Sequence, residues 1–215
     1  MHAPPELRGG FATRLAALVA GLFLCAVGIV LFLESKLGLP PWDVLHQGLA
    51  EQLDVSFGTA NLIVSAAILA LAWALRAHIG LGTLLNASLI GTFVIALTAL
   101  DAVSALSDEG LVLRIGLLPL ALLCFGVGSA FYIAPSMGAG PRDSLMLVVS
   151  RRLHLRIGTS RTVVEVSAFA LGFALGGTAG IGTLVFALGI GPAVELSFWL
   201  LERTPLAAPA VASPT

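Results

Sequence analysis

Charged side chains are what this sequence has least of. Asp, Glu, Lys and Arg together make up 11% of its 215 residues, less than half the share usual in soluble domains. A water-soluble particle of this size would lack the polar residues to cover its surface. The formal net charge is −1, so no basic field is available to hold nucleic acid. There are only two cysteines, Cys25 and Cys124, and both sit inside apolar runs. That excludes a disulfide framework and leaves two buried thiols. Phosphate-binding loops, nucleophile elbows, paired CxxC motifs and HExxH are all missing. No catalytic centre, no cofactor and no metal site is therefore expected, and the chain reads as something other than an enzyme.

What is present is apolar residue after apolar residue. Hydrophobic side chains account for 58% of the chain and the mean hydropathy is +1.01. The natural solvent for such a chain is the lipid bilayer, and the class expected is an all-α membrane protein.

The strongest internal signal is a duplication with a period of one hundred residues. Leu37-Gly-Leu-Pro-Pro-Trp-Asp43 is repeated as Met137-Gly-Ala-Gly-Pro-Arg-Asp143. Gly28, Gly58-Thr59, Gly80, Gly82-Thr83-Leu84 and Gly91 match Gly128, Gly158-Thr159, Gly180, Gly182-Thr183-Leu184 and Gly191. Residues 21–94 set against 121–194 without a gap share 23 identities in 74 positions, which common apolar composition does not explain. The chain is two copies of one unit.

Each copy supplies three apolar runs: 15–33, 60–75 and 81–100 in the first, 115–133, 162–181 and 183–201 in the second. The run at 15–33 has the look of a cleaved leader, but its mate at 115–133 is internal, so it is read as a retained first span. Between first and second spans of each copy lies a Gly-Pro-x-Asp break, marked by Gly38 and Pro41 or by Gly138 and Pro141. A short helix follows each break, too short and too polar to cross, and it is either re-entrant or interfacial. The expected layout is a lead at 1–13, a first repeat at 14–103, a link at 104–113, a second repeat at 114–203 and a disordered tail at 204–215.

Three spans per copy is an odd number, so the second copy enters from the opposite side and the repeats are inverted. With both termini on one side, that side collects nine arginines: Arg8, Arg14, Arg76, Arg142, Arg151, Arg152, Arg156, Arg161 and Arg203. The other side keeps Lys36 and Arg114. The positive-inside bias places both termini in the cytoplasm of a bacterial inner membrane.

Several residues stand out as a candidate path for a substrate or ion. If the breaks dip into the bilayer, Asp43 and Asp143 bring two helix starts to a shared centre. Otherwise each proline opens a surface helix whose first-turn acid complements the dipole. An acid there partly cancels the positive helix end, so a proton or cation is a better guest than an anion. His46 lies one turn after Asp43; the two either share a proton or metal, or His46 sits at the interface beside a belt residue, Trp42. Arg142 is either a substrate clamp or an ordinary cytoplasmic charge. Glu165 falls within an apolar run one turn after Arg161 and is placed to pair with it. Glu195 follows a Gly-Pro kink with no basic neighbour before Arg203, so it is either functional or snorkelling to the edge. Asn86 and Asn61 serve as helix–helix hydrogen bonders or as ligands. Gly172, Gly176 and Gly180 recur every fourth residue as a seam for internal packing or for self-association.

The run Gly-Leu-Pro-Pro-Trp-Asp-Val-Leu-His-Gln-Gly-Leu at 38–49, with Gly80-x-Gly-Thr-Leu-Leu-Asn86 and Gly138-Ala-Gly-Pro-Arg-Asp143, resembles the YczE-like bacterial membrane proteins of the wider YitT group. The likeness runs from the first span to the last and implies a multi-pass inner-membrane protein. The function expected is a small secondary transporter or permease for a small molecule or ion, proton- or cation-coupled. The alternative is a non-transporting accessory that binds a partner through its arginine-rich loop or glycine seam, as a homo-oligomer or with another membrane protein.

Overall fold

A computed structural model describes residues 6–77, 79–154 and 157–207. In chain order these form α1 (Phe11–Ser35), α2 (Pro41–Leu53), α3 (Phe57–Ala74), α4 (Leu81–Thr98), α5 (Asp101–Ser104), a 3-10 turn (Ala105–Asp108), α6 (Leu111–Ile133), α7 (Pro141–Leu153), α8 (Ile157–Ala174) and α9 (Ile181–Glu202). Among the described residues there is no strand, only a single backbone bridge joining Leu7 to Ala207. Five helices, α1, α3, α4, α6 and α9, are long and apolar enough to cross a membrane. Their outward faces stay hydrophobic, as Val112 and Leu188 illustrate at 87% and 79% exposed. In water that pattern would be a fault; against lipid tails it is the expected surface.

α1 and α6, which are repeat mates, cross at the centre of the molecule. Small residues let them approach. A Cβ on Gly21 would lie 2.6 Å from the backbone nitrogen of Tyr132, and one on Gly28 would lie 2.7 Å from the Phe125 ring. Because the earlier residue of α1 meets the later residue of α6, the two helices run antiparallel. The other packings come in matched pairs: α4 lies on α1 as α9 lies on α6, and α2 packs on α8 as α7 packs on α3.

Backbone turns repeat with the same shift. Lys36 and Ser136, Asp54 and His154, and Arg76 and Gly176 all hold positive φ, as do Gly38 and Gly138. Pro41 and Pro141 occupy the first turns of α2 and α7, where a missing N–H costs nothing and the fixed φ already suits the helix.

The duplicated Gly-x-Gly-Thr motif explains how the halves are joined. The N–H of Gly82 donates to the Met137 carbonyl at 2.8 Å, and the N–H of Gly182 donates to the Leu37 carbonyl at 2.8 Å. Thr83 Oγ1 donates to the Ala139 carbonyl at 2.6 Å, and Thr183 Oγ1 to the Leu39 carbonyl at 2.8 Å. Each break is therefore clasped by the start of the last helix of the opposite half. Gly80 and Gly82 admit no side chain there: their Cβ atoms would sit 2.5 Å from the Met137 carbonyl oxygen and 3.0 Å from that of Gly138.

Three expectations need correction. The run expected to span 162–181 ends as helix at Ala174, because Gly176 takes φ +106 and turns the chain, as a C-terminal glycine does. The apolar helical part of this stretch, Thr162–Ala174, is shorter than the five spans above. The glycine seam also dissolves: only Gly172 is helical, Gly176 lies in the turn, and Gly180 caps α9. Gly172 packs against the Leu45 backbone of α2 and Gly180 against the Leu37 carbonyl, so both serve internal packing. The tail expected to be disordered from 204 is placed as far as Ala207, with Arg8 N–H donating to the Leu206 carbonyl at 2.7 Å. Residues 208–215 lie outside the described residues, as do 1–5 of the expected lead.

Candidate functional site

The first turns of α2 and α7 end at one internal cavity of about 160 Å³. Its wall is built from repeat mates: Cys25 and Phe125, Ile29 and Ser129, Pro40 and Gly140, Trp42 and Arg142, Asp43 and Asp143, Asn86 and Phe186, Ile90 and Ile190. The same seven positions of both copies thus contribute to one wall. Tyr132 from α6 and Glu165 from α8 complete the polar part of the wall.

Of the residues singled out in the sequence, Trp42, Asp43, Asn86, Arg142, Asp143 and Glu165 meet here. His46 lies one layer behind, fully buried, with its Nδ1 3.0 Å from Asp43 Oδ1. It is not an interfacial histidine, and Trp42, 8% exposed, is not a belt residue. Both face inward because α2 is packed between α3 and α8.

Arg142 is not an ordinary cytoplasmic charge either. Its guanidinium carbon stands 5.0 Å from the centre of the Trp42 ring, within cation–π range. Its Nη2 donates to His46 Nε2 at 3.4 Å. Asp43 and Asp143 attract the guanidinium electrostatically and offset its desolvation. Setting it aside leaves eight arginines in the larger of the two groups expected from the sequence, against Lys36 and Arg114.

Glu195 does not belong to the site. It is exposed on α9 and absent from the cavity wall. The side chain of Arg161, the expected partner of Glu165, lies outside the described residues.

The Arg142 contact favours one tautomer of His46. If Nε2 accepts from the guanidinium, the ring proton is on Nδ1, which donates to Asp43. The Asn61 amide lies 3.1 Å from the same Nδ1. With its oxygen turned toward Nδ1–H, it becomes an acceptor and avoids a clash of donors, since amide orientation follows the network. Burial pushes the His46 imidazole below its ordinary pKa, with the Asp43 hydrogen bond pulling the other way. The neutral ring that Arg142 requires is the one that burial favours.

Tyr132, Ser129 and Cys25 escaped the sequence reading. The signal for two of them was in the duplication: Ser129 and Tyr132 stand where the first copy has Ile29 and Phe32. A wall built from equivalent positions shows its chemistry where repeat mates differ. Among the described residues, no three His, Cys, Asp or Glu side chains are grouped to hold a metal ion.

Membrane-length apolar helices wrapped round a cavity with polar side chains in its wall define a multi-helix membrane protein. The chain belongs to DUF6198, a family of unknown function, which it matches over residues 12–198. It is 33% identical to the uncharacterized membrane protein YczE of Bacillus subtilis over 181 residues, covering 83% of this chain and 82% of that protein. The YczE-like kinship expected from the motifs is thereby shown. An uncharacterized protein of Haemophilus influenzae is 36% identical over 192 residues, 89% of this chain and 86% of that one. YyaS of Bacillus subtilis is 26% identical over 185 residues, 85% and 91% of the two chains. No solved structure matches.

Proposed function

We propose that the chain is a small secondary transporter that carries its substrate through the cavity between the two breaks. In this reading α8 serves as a sixth span, the halves are inverted copies, α2 and α7 are re-entrant, and both termini face the cytoplasm of a bacterial membrane. The antiparallel run of α1 and α6 and the arginine asymmetry support that topology. The observation that carries the function is the makeup of the cavity wall. Equivalent positions of both halves line it, including the first turns of both short helices. A site built that way opens to either face when one half rocks against the other, which is how inverted-repeat transporters alternate access. Asp43, hydrogen-bonded to His46, is the proton-handling group.

A native reporter tests this. Cys25 lines the cavity, and Cys124 is the one other thiol. In a Cys124→Ala background, Cys25 should react with a membrane-impermeant thiol reagent added from either face of oriented vesicles. Reaction from a single face, or from neither, would refute transport. The accessory reading would then take over, with exposed Arg151 and Arg152 as its partner contacts.

A further inference from the structure

We propose that three rings, Phe32, Phe125 and Phe186, form a gate that closes the central cavity toward the first break, while the cavity runs on toward the second. As a gate the trio rests on the transporter reading; as a closure it stands on geometry alone.

The rings come from three helices, α1, α6 and α9, and each touches the other two. Between ring centres, Phe125 and Phe186 stand 5.3 Å apart, Phe32 and Phe186 5.8 Å, and Phe32 and Phe125 6.2 Å. All three separations lie in the range of favourable aromatic pairs. Gly28 makes room for the cluster, since a Cβ there would lie 2.7 Å from the Phe125 ring. Phe125 and Phe186 line the central cavity. Phe32, fully buried, lines instead a cavity of about 410 Å³ at the first break, with Glu34, Lys36, Gln47 and Thr178. Among the described residues the two cavities share no lining side chain. The trio stands between them.

The second break is arranged differently. A cavity of about 460 Å³ lies there, lined by Tyr132, Ile133, Ser136, Gly138, Ala139 and Asp143. The first five repeat, one hundred residues on, the lining positions Phe32, Leu33, Lys36, Gly38 and Leu39 of the first-break cavity. Tyr132 and Asp143 also line the central cavity, so these two spaces adjoin. The repeat mates of the trio are Tyr132, Cys25 and Asn86, and all three line the central cavity. Where one side has three interlocked rings, the matching positions carry a hydroxyl, a thiol and an amide. Apolar constrictions close a path by excluding water. Polar side chains at the matching positions leave it wettable.

Phe186 ties the gate to the clasp. It lies one turn after Thr183 on α9, and Thr183 Oγ1 donates to the Leu39 carbonyl of the first break at 2.8 Å. Sliding of the start of α9 away from that break, a shear of packed helices, would draw the Phe186 ring out of the cluster. The same movement would join the central cavity to the cavity at the first break.

The test reads the rate at which Cys25 reacts with an impermeant thiol reagent from each face, in the full-length Cys124→Ala protein in oriented vesicles. Lys36→Cys and Ser136→Cys, each with Cys25→Ala and Cys124→Ala, mark the two faces, since both positions are exposed and each lines the cavity at its own break. Cys25 should react faster from the face of the second break. The ratio of the two rates is the readout, because it cancels any change in the thiol itself. Phe186 makes two of the three ring contacts. Phe186→Ala should therefore raise the slower rate about tenfold and leave the faster one unchanged. Phe125→Ala repeats the test from α6, and the milder Phe186→Leu should fall between, with the melting temperature retained. Faster reaction from the first-break face would overturn the gate, as would a ratio unmoved in folded Phe186→Ala and Phe125→Ala proteins. Labelling from both faces with an unmoved ratio leaves transport standing without this gate. Labelling from the second-break face alone until the rings are removed leaves the closure standing without transport.

Discussion

At His46 a buried side chain of the first half meets a charged side chain of the second. The imidazole takes a hydrogen bond from Arg142 of the second copy and gives one to Asp43 of the first. Besides those two, Asn61 and the ring of Phe57 face it. Its proton affinity is lowered in the fold, so the unfolded chain binds a proton more readily than the folded one. The stability held by the neutral ring is present above the ordinary histidine value of about 6.5 and lost as pH falls below it. The melting temperature of the purified protein should therefore drop on mild acidification. His46→Gln should flatten that drop between neutrality and about pH 5. An unchanged slope in the variant would place the acid sensitivity elsewhere. Protonation would also set two positive charges, Arg142 and His46, against each other, a direct means of loosening α7 from α2.

At the scale of elements the clasp carries the most testable energy. Thr83 Oγ1 is buried, accepts from the Gly80 N–H at 3.1 Å and donates to the Ala139 carbonyl. Thr83→Val preserves shape but strands both groups, and the expected loss is about 1–3 kcal/mol, read from thermal or denaturant unfolding in detergent. Thr183→Val should cost a similar amount, because its bonds repeat those of Thr83. A loss in one variant alone would mean that the clasps are unequal. The helix starts were legible beforehand: Pro41 and Pro141 announce α2 and α7 within the first turn. The end of α8 was not, because a four-residue spacing of glycines looks helical in one dimension. Whether Gly176 continues a helix or stops it depends on packing of the chain against α2. The purpose of Gly80 and Gly82 was equally hidden, since the atoms that exclude their side chains come from residues 137 and 138.

For the whole molecule, the duplication was the most informative feature of the sequence, because a period of one hundred residues needs no structure to be counted. It did not reveal that the packing partners are exchanged, α2 against α8 and α3 against α7. It follows that neither half is self-sufficient. Residues 1–104 and 105–215, made as separate chains in one cell, should assemble and co-purify, whereas either alone should be degraded or aggregate. Stable accumulation of a lone half would contradict this interdependence. Of the site, the acids, Trp42, Asn86 and Arg142 were legible as rare polar residues in an apolar chain. Tyr132 was not, because a single tyrosine in a long apolar helix looks like core until it is seen on the cavity wall.

The exchanged clasps also impose an order of events on the ribosome. The second break closes as soon as it is made, since Gly82 and Thr83 are already in place. The first must wait: the Leu39 carbonyl finds Thr183 only 144 residues later, on the order of ten seconds at ordinary rates of synthesis. Throughout that interval the nascent first half carries an unclosed loop with bare backbone carbonyls into the insertion machinery. A translation pause or a premature stop in the second half would therefore leave a quality-control substrate in the membrane, and protein yield in the cell would depend on how fast the last helix is delivered.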